Sequence, residues 1–589
     1  MTKRDASSAE LSGWQSLELG EYQRAVARRL AELKQSGFIS RLWNREPELW
    51  SGDAAAQAII RDSLGWLDVA RTMAANRELL TLLLDEALAA GFRRVVHMGM
   101  GGSSLAPLVL GRMIPAGGRG LPLSILDTTD PATVLAVEAA APLEKTLFIV
   151  ASKSGTTAEP LAFDDYFFHA VARLKGERAG ENFIAITDPD SPLAASADAR
   201  GFRHVFLNFP DIGGRYSALS FFGLVPAALA GIDIARLLAR AGRMESACAA
   251  SVPAEENPGL VLGAVLGELG RHGRDKITFV AEPQIAPLAL WLEQLLAEST
   301  GKQGKGLLPV AGEELGTPAD YGSDRLFVYL SREGGGSLAA GVDRLKDAGQ
   351  PVVAIGVEDP YDLGQEFFRW EMATAVAGAV LEIDPFDQPN VQESKDNTNR
   401  LLAEVEKRGE LPAESPLLIE EPLSLYHEGF VPPAASIEAA LDEFLGQARP
   451  GDYVALMAYL TEEEPAAATL ARIRDDLRNR LRLATTLGYG PRFLHSTGQF
   501  HKGGPDTGLF LQLTCDDARD ALIPGKGYGF GTFRHAQAQG DLEALRRHGR
   551  RVMRIHLGRG ADAGTDAGKD AGMGLSRLEK ILRKVTPEF

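Results

Sequence analysis

Short apolar segments that alternate with helical segments constrain the fold of this chain more than any other feature. Helical sequence separates most of the five segments between residues 94 and 207, which are Arg94–Met98, Pro122–Asp127, Thr146–Val150, Phe183–Thr187 and His204–Leu207. Such alternation indicates a parallel sheet with helices on both faces. Because ligands bind beyond the carboxyl ends of these strands, the polar loops that follow them are the first candidates for a site.

The alternation starts again after about residue 250, with predicted strands at Lys276–Val280, Arg325–Leu330 and Pro351–Val357. We therefore predict an α/β protein with two doubly wound parallel-sheet domains and flanking helices. A chain of 589 residues is too long for one core, which agrees with this division. The predicted parts are a helical region over 1–85, a first, phosphate-binding sheet domain over 86–250, a second sheet domain with insertions over 251–560, and a flexible linker with a C-terminal helix over 561–589.

The second half of the chain gives weaker signals. Residues 403–450 are rich in Glu, Pro and Ala, and we predict a surface excursion there. The remaining predictions are a strand at Tyr453–Leu460, an amphipathic helix at Arg472–Leu487, a final sheet strand at Leu509–Thr514, a mobile linker at Gly560–Gly574, and a helix at Leu575–Val585 that docks on its own chain or on a partner.

Composition excludes several classes of protein. A net charge of −17 argues against a general binder of nucleic acids or anionic membranes. The two cysteines, Cys248 and Cys515, cannot form a disulfide framework and indicate a reducing compartment. The first residues lack the apolar segment of a signal peptide, and no apolar run reaches transmembrane length. We therefore expect a cytoplasmic enzyme.

The turn Ser152-Lys153-Ser154-Gly155-Thr156-Thr157 lies between a buried strand and a predicted helix. Backbone N–H groups and hydroxyls at a helix N-terminus favour an anion, so this turn is a candidate phosphate site. It lacks the spacing of a Walker loop. Alone, it could equally be a capped turn.

A second polar turn, Gly99-Met100-Gly101-Gly102-Ser103-Ser104, follows the first predicted strand of this sheet. Its glycines would let a small anion approach the backbone, with Ser103 as a further donor. Gly99-x-Gly101 also matches the start of a dinucleotide motif, and Asp127 could be its ribose-binding acid. A nucleotide site therefore stays an alternative, although Ser104 replaces the final glycine of that motif.

Further candidate side chains stand at the ends of helices and in loops. Gly213-Gly214 delivers Arg215 to a helix start, and Arg suits a developing negative charge. Glu298 ends a helix that also carries Gln294, and a carboxylate there could carry a proton. Each of these could also be an ordinary solvated residue.

Two later stretches complete this set. Gln388 stands in a proline-bearing loop, and Lys395 follows seven residues later. A glycine-rich stretch from Arg492 to Pro505 holds His495 and His501. The spacing of the two histidines does not match a zinc pattern, so we expect no metal.

These motifs, taken together and in this order, resemble glucose-6-phosphate isomerases over about residues 90 to 535. The resemblance implies sugar-isomerase (SIS) domains, a sugar-phosphate substrate and no cofactor. One feature departs from bacterial members, because the stretch from Leu494 to Gln499 follows Lys395 instead of preceding Gln388. That order is similar to the isomerase half of fused transaldolase/glucose-6-phosphate isomerase proteins. Residues 1–85 are too few for a transaldolase barrel, so we expect no transaldolase activity.

The resemblance also implies roles for the candidate residues. It implies aldose–ketose isomerisation of glucose 6-phosphate and fructose 6-phosphate through ring opening and a cis-enediolate, in a homodimer. The alternatives are an isomerase that also accepts mannose 6-phosphate, and a non-catalytic sugar-phosphate sensor. The expected catalytic residues are Glu298 as base, His495 for ring opening with Lys395 assisting and His501 as fallback, and Arg215 for the enediolate; the expected binding residues are Gly102, Ser103, Ser152, Lys153, Ser154, Thr156, Thr157, Gln294 and Gln388.

Overall fold

The computed structural model describes residues 15–115, 118–140, 142–332, 336–426, 434–558 and 567–585, and only the backbone of 567–570. The strands in these ranges form three sheets. In chain order they are β1 Gln15–Glu18, β2 Arg94–Met98, β3 Leu123–Leu126, β4 Thr146–Ala151, β5 Phe183–Thr187, β6 His204–Leu207, β7 Lys276–Ala281, β8 Leu308–Val310, β9 Arg325–Ser331, β10 Val352–Gly356, β11 Leu418–Glu420, β12 Leu423–Tyr426, β13 Tyr453–Tyr459, β14 Ala484–Tyr489, β15 Gly508–Cys515 and β16 Arg551–Leu557.

Helices cover the faces of these sheets and connect most of the parallel strands. The α-helices within the described ranges are Gln23–Gln35, Phe38–Trp43, Ala54–Arg61, Val69–Ala75, Arg77–Ala89, Leu105–Met113, Pro131–Ala139, Ala158–Lys175, Pro192–Ala199, Phe221–Leu229, Ile234–Ala247, Pro258–Arg271, Leu288–Thr300, Ala339–Asp347, Leu363–Leu381, Val391–Arg408, Ile437–Leu445, Ala466–Leu481, Gly498–Gly503, Phe530–Arg547 and Ala567–Val585.

The first sheet has the order β3-β2-β4-β5-β6, and all its pairings are parallel. Its five strands fall where the apolar segments predict them. Along β4, Leu147 and Ile149 pack into one apolar core and Phe148 and Val150 into another, so both faces are buried. The predicted doubly wound α/β architecture is confirmed for this unit.

The second sheet has the order β1-β10-β9-β7-β8. Strands β7 to β10 are parallel, and β1 adds an antiparallel edge strand to β10. The region predicted to be helical thus contributes one strand, Gln15–Glu18, in addition to its helices. An edge position suits this short segment, because only one side of it pairs.

A third sheet, with the order β11-β12-β16-β15-β13-β14, lies within the segment predicted as insertions in the second domain. We call residues 418–557 the third unit. Three sequence predictions are corrected here. The 403–450 segment is not a surface excursion, because it supplies β11, β12 and the core residues Leu441 and Phe444. The helix predicted at Arg472–Leu487 ends at Leu481 and is followed by β14, and β16 follows the strand predicted to be last.

The C-terminal helix packs on its own chain. Leu575, Leu578 and Ile581 are buried in the core of the third unit. The helix begins at Ala567, so part of the predicted linker is helical, while residues 559–566 lie outside the described residues. None of the helices in the described ranges combines the length and apolarity that crossing a membrane requires.

Candidate functional site

The hydroxyl-rich turn after β4 has the conformation of an anion-binding turn. Gly155 has φ +66°, a left-handed conformation that favours glycine. Ser152 donates a hydrogen bond to Thr157 over 3.0 Å, and the hydroxyls of Ser154 and Thr156 lie 2.8 Å apart. The turn leads into a helix N-terminus, where the helix dipole favours negative charge.

A cavity of about 340 Å³ opens beside this turn. Residues from the first sheet, from helix Val391–Arg408 and from the third unit line it. Within the described part of the chain Lys395 forms no ion pair, so its charge is available to an anion. We call the following set the outer group: Ser154, Thr156, Thr157, Lys395 and His495.

Two buried side chains hold His495 at the cavity wall. The Nε2 atom of His495 lies 2.9 Å from Oε1 of Glu159, and the Gln537 amide donates to the same oxygen over 2.7 Å. Burial alone would raise the pKa of Glu159, but the charge and hydrogen bond of His495 and the charge of Lys395 hold this pKa below its usual value. Glu159 therefore stays ionised near neutral pH and can fix the orientation of the imidazole.

Arg215 is the centre of a second, buried set of side chains, and only 3% of its surface is exposed. Its guanidinium donates to Ser299 over 2.7 Å, to Gln388 over 2.8 Å and to the carbonyl oxygen of Pro385 over 2.7 Å. Its Nη1 atom also lies 3.7 Å from a carboxylate oxygen of Glu298. The guanidinium is thus fixed before any ligand arrives.

Lys302 and Arg215 both donate to the loop at residues 384–388. The ammonium of Lys302 donates to the carbonyl oxygen of Asp384 over 2.8 Å and to the Asp387 carboxylate over 2.6 Å. Burial and the nearby charge of Arg215 lower the pKa of Lys302 to about 8. Two cations therefore fix the loop that carries Gln388.

Gln294 connects Glu298 with the glycine turn after β2. Its amide donates to a carboxylate oxygen of Glu298 over 2.8 Å. A Cβ added to Gly101 would lie 2.8 Å from this amide and 2.9 Å from Cβ of His495. Gln294, which bonds Glu298, and the main chain of His495 therefore both pack against Gly101. We call the following set the inner group: Arg215, Gln294, Glu298 and Gln388.

The glycine turn after β2 packs against the turn that carries Arg215. A Cβ on Gly102 would lie only 2.1 Å from the carbonyl oxygen of Gly214, so a side chain has no room there. Ser217 donates to the carbonyl oxygen of Gly102 over 3.4 Å. Ser103, which was predicted to bind phosphate, lies in this turn and is partly exposed.

The third unit reaches this site through the loop at residues 491–504. The Arg492 guanidinium donates to both carboxylate oxygens of Asp127, over 2.8 and 2.9 Å. Asp127 was a candidate ribose-binding acid. Because Arg492 occupies both of its oxygens, the nucleotide alternative is not supported.

Five candidates line the cavity, and they are the outer group. The other candidates do not line it: Gly102, Ser103, Ser152, Lys153, Arg215, Gln294, Glu298, Gln388 and His501. Two of these have partners that hold them elsewhere. Lys153 pairs with Asp188 and donates to the carbonyl oxygen of Pro210, so its ammonium does not line the cavity. His501 packs against Tyr453 and Phe510 and is 3% exposed. Burial lowers its pKa well below the usual value, and its Nε2 atom has no partner among the described residues. This buried position does not favour the fallback assignment of ring opening to His501, which stays an untested prediction.

The sequence analysis missed two side chains that shape the site, Glu159 and Gln537. Glu159 stands in the first turn of its helix, where acidic residues are common, so its type gave no signal. Gln537 lies on helix Phe530–Arg547, far from any motif. No three His, Cys, Asp or Glu side chains cluster as a metal site within the described residues.

Comparisons with known proteins identify relatives of this chain. A protein-family model described as Phosphoglucose isomerase matches residues 87–307. The "Glucose-6-phosphate isomerase" of Rubrobacter xylanophilus is 30% identical over 397 residues, which are 58% of this chain and 90% of that protein. The protein of that name from Symbiobacterium thermophilum is 32% identical over 406 residues, with the same coverage of 58% and 90%.

One solved structure adds a likeness of fold. A hypothetical protein from Thermus thermophilus superposes with a TM-score of 0.57 and 26% identity, covering 66% of this chain and 100% of that chain. This chain belongs to the glucose-6-phosphate isomerase family.

Proposed function

We propose that this chain is an aldose–ketose isomerase that interconverts glucose 6-phosphate and fructose 6-phosphate. One observation carries the proposal: an anion-binding turn, the cation Lys395 and His495 line one cavity, while Glu298 lies with Arg215 and is joined by Gln294 to Gly101, which packs against His495. The names of the relatives support this choice of substrate.

The substrate phosphate binds at the hydroxyls of Ser154, Thr156 and Thr157, with the helix N-terminus behind them. Lys395 supplies the positive charge that a chain of net charge −17 must concentrate locally. Ser152 supports Thr157 through its hydrogen bond. The assignments of Gly102, Ser103 and Lys153 to substrate binding stay predictions. The ammonium of Lys153 has other partners, so only the backbone of Lys153 could bind the phosphate.

Ring opening requires a proton to move between the ring oxygen and the anomeric hydroxyl. His495 is suited to this step because it lines the cavity. The contact between its Nε2 atom and Glu159 fixes the orientation of the imidazole. Lys395 assists on the same wall. Gln294 and Gln388 hold sugar hydroxyls.

Glu298 then moves a proton between C2 and C1, passing through a cis-enediolate. The negative charge of that intermediate is stabilised by Arg215, whose guanidinium is held by Ser299, Gln388 and Pro385 before the reaction begins. These steps use side-chain proton carriers and fixed charges.

Two alternatives give different outcomes. A non-catalytic sugar-phosphate sensor would need the outer group but would have no use for Glu298 and Arg215 side by side. Acceptance of mannose 6-phosphate depends on the space around C2. Conversion assays with both hexose phosphates separate these possibilities from the main proposal.

We also propose a subtype, an oligomeric state and a location for this chain. The position of His495 after Lys395 supports a likeness to the isomerase half of the fused transaldolase proteins. Assembly as a homodimer rests on the family resemblance, and sedimentation tests it. A cytoplasmic location fits the two buried free cysteines.

The proposed function is tested by a coupled assay of fructose 6-phosphate conversion, with wild type and Glu298→Gln. We expect conversion by the wild type and its loss in the variant, with hexose-phosphate binding retained. If the wild type binds hexose phosphate but does not convert it, the protein is a sugar-phosphate sensor and not an isomerase.

A further inference from the structure

We infer that each chain carries a complete site, because its own third unit, and not a second copy of the chain, supplies His495. The inference rests on the proposed function for what His495 does. Its geometry stands apart from that function, because the contacts within the chain that position the histidine involve no substrate.

The first line of support is the position of the imidazole. His495 belongs to the third unit, yet its Nε2 atom lies 2.9 Å from Glu159, in the helix that follows β4 of the first sheet. Gln537, also from the third unit, donates to the same Glu159 oxygen over 2.7 Å. Two side chains of the third unit therefore converge on one buried carboxylate beside the phosphate turn.

A buried ion pair fixes the turn that carries the histidine. Arg492, three residues before His495, donates to both oxygens of Asp127 at the carboxyl end of β3. The Asp127 side chain is 3% exposed. A two-point bond between a planar guanidinium and a carboxylate sets orientation as well as distance. We call this pair the Arg492–Asp127 clamp.

The other end of the same loop is bonded to two residues outside the third unit. Gln499 donates to the carbonyl oxygen of Gly301 and to Asn390, each over 2.9 Å. A Cβ on Gly301 would lie 2.4 Å from Cα of Phe500, so the two backbones touch. Both ends of the loop are thus held by residues of the same chain.

A third contact lies away from the loop and joins the same units. Asp130, at the start of helix Pro131–Ala139, accepts from Arg534 over 2.6 Å and from Thr461 over 3.0 Å. Both Asp130 and Arg534 are 1% exposed. Because the units are covalently linked, these contacts form at a high effective concentration and need no association between chains.

Cross-linking tests this inference without any use of activity. One variant carries both Glu159→Cys and His495→Cys and is treated with a short bismaleimide; native Cys248 and Cys515 are buried, and the wild type controls for them. We expect a link between positions 159 and 495 at the mass of one chain. Failure to form that link, while each single variant still reacts with a monofunctional maleimide, would overturn the inference.

The comparison experiment co-expresses the single variants Glu159→Cys and His495→Cys and treats them with the same bismaleimide. If the histidine came from a second copy, this mixture would give a linked species of two chains. We expect none, and its appearance would overturn the inference whether or not the protein is an isomerase.

Complementation gives the catalytic version of the test. Glu298→Gln and His495→Asn are co-expressed with different tags, and any mixed assembly is purified over both tags. Sites shared between chains would restore about half of wild-type activity in the purified mixed dimer, because one of its two sites would combine the intact Glu298 and the intact His495. We expect no restoration, and restoration would overturn the inference. An inactive wild type would count against the proposed function alone, because the cross-linking result does not depend on it.

Discussion

The outer and inner groups of the site differ in how their side chains are partnered. In the outer group Lys395 has no ion pair among the described residues, and hydroxyls of the turn bond to each other and to the backbone N–H of Thr156. In the inner group Arg215 already donates four hydrogen bonds and is 3% exposed. A group with free donors suits a ligand that comes and goes, whereas a buried guanidinium that fixed partners already hold suits charge that appears only during the reaction.

The largest effect is expected from the carboxylate of the inner group. Glu298→Gln keeps the size of the side chain and its contact with Gln294, but removes the proton carrier. We expect kcat to fall by about 10²- to 10⁴-fold with the affinity for hexose phosphate nearly unchanged. Steady-state kinetics and calorimetric binding measure the two quantities. A tenfold loss of affinity would mean that Glu298 binds the substrate, as the outer group does.

Arg215→Lys tests whether the inner group stabilises charge. A lysine keeps the positive charge but cannot reach the four acceptors that the planar guanidinium holds. We expect kcat to fall by about 10²- to 10³-fold. An unchanged kcat with a raised KM would show that Arg215 binds the ground state instead.

The Arg492–Asp127 clamp connects the two groups to the third unit. Asp127→Asn weakens the clamp, so His495 loses its fixed position, and we expect kcat to fall about tenfold with KM little changed. Glu462→Gln is the matched control, because it removes the partly exposed partner of the same Arg492. Equal losses in both variants would mean that the clamp serves stability alone.

Two lysines of the outer region make a matched pair. Lys395→Met removes the unpaired charge at the cavity, and we expect KM to rise about tenfold, which corresponds to ~1.4 kcal/mol. Lys153→Met removes an ammonium that pairs with Asp188 away from the cavity, so KM should change less than about twofold. The reverse order of effects would place the phosphate nearer Lys153.

The smallest effect concerns stability and pH. The pKa of Glu159 is held below its usual value, so its stabilising contribution is present above the ordinary carboxyl pKa and is lost as pH falls through the lowered one. We expect Glu159→Gln to be less stable than wild type by about 1 kcal/mol at pH 6. Urea unfolding at pH 6 and at lower pH should show this difference shrinking with acid, and a difference that grows with acid would contradict the pKa direction.

The sequence predicted the first sheet well because its strands are buried on both faces. An apolar run such as Thr146–Val150 between two polar turns has few alternatives, and β4 matches it within one residue. The turn after β4 and Arg215 were predictable for a related reason, since the carboxyl edge of a parallel sheet is where such loops converge.

The third unit could not be predicted in the same way. The Arg-rich pattern from Arg472 continues the period of a helix into Ala484–Tyr489, and only pairing with β13 makes that segment a strand. The short strands β11 and β12 carry too few residues for a clear period. Tertiary pairing thus overrides the local pattern here.

Position separates the two histidines, and composition does not. His495 and His501 stand six residues apart in one polar loop, yet one meets Glu159 at the cavity and the other lies among aromatic rings. Glu159 itself gave no signal, because its partner is 336 residues away in the chain. Contacts of that separation depend on the fold as a whole.

Proton exchange during turnover tests the central claim most directly. Wild type and Glu298→Gln are incubated with fructose 6-phosphate in D2O with a chelator, and products are followed by NMR. The account predicts that the wild type forms glucose 6-phosphate and incorporates deuterium at the carbons between which the proton moves, while the variant does neither at a comparable rate. A wild type that binds the sugar phosphate but neither converts it nor exchanges its protons would contradict the account.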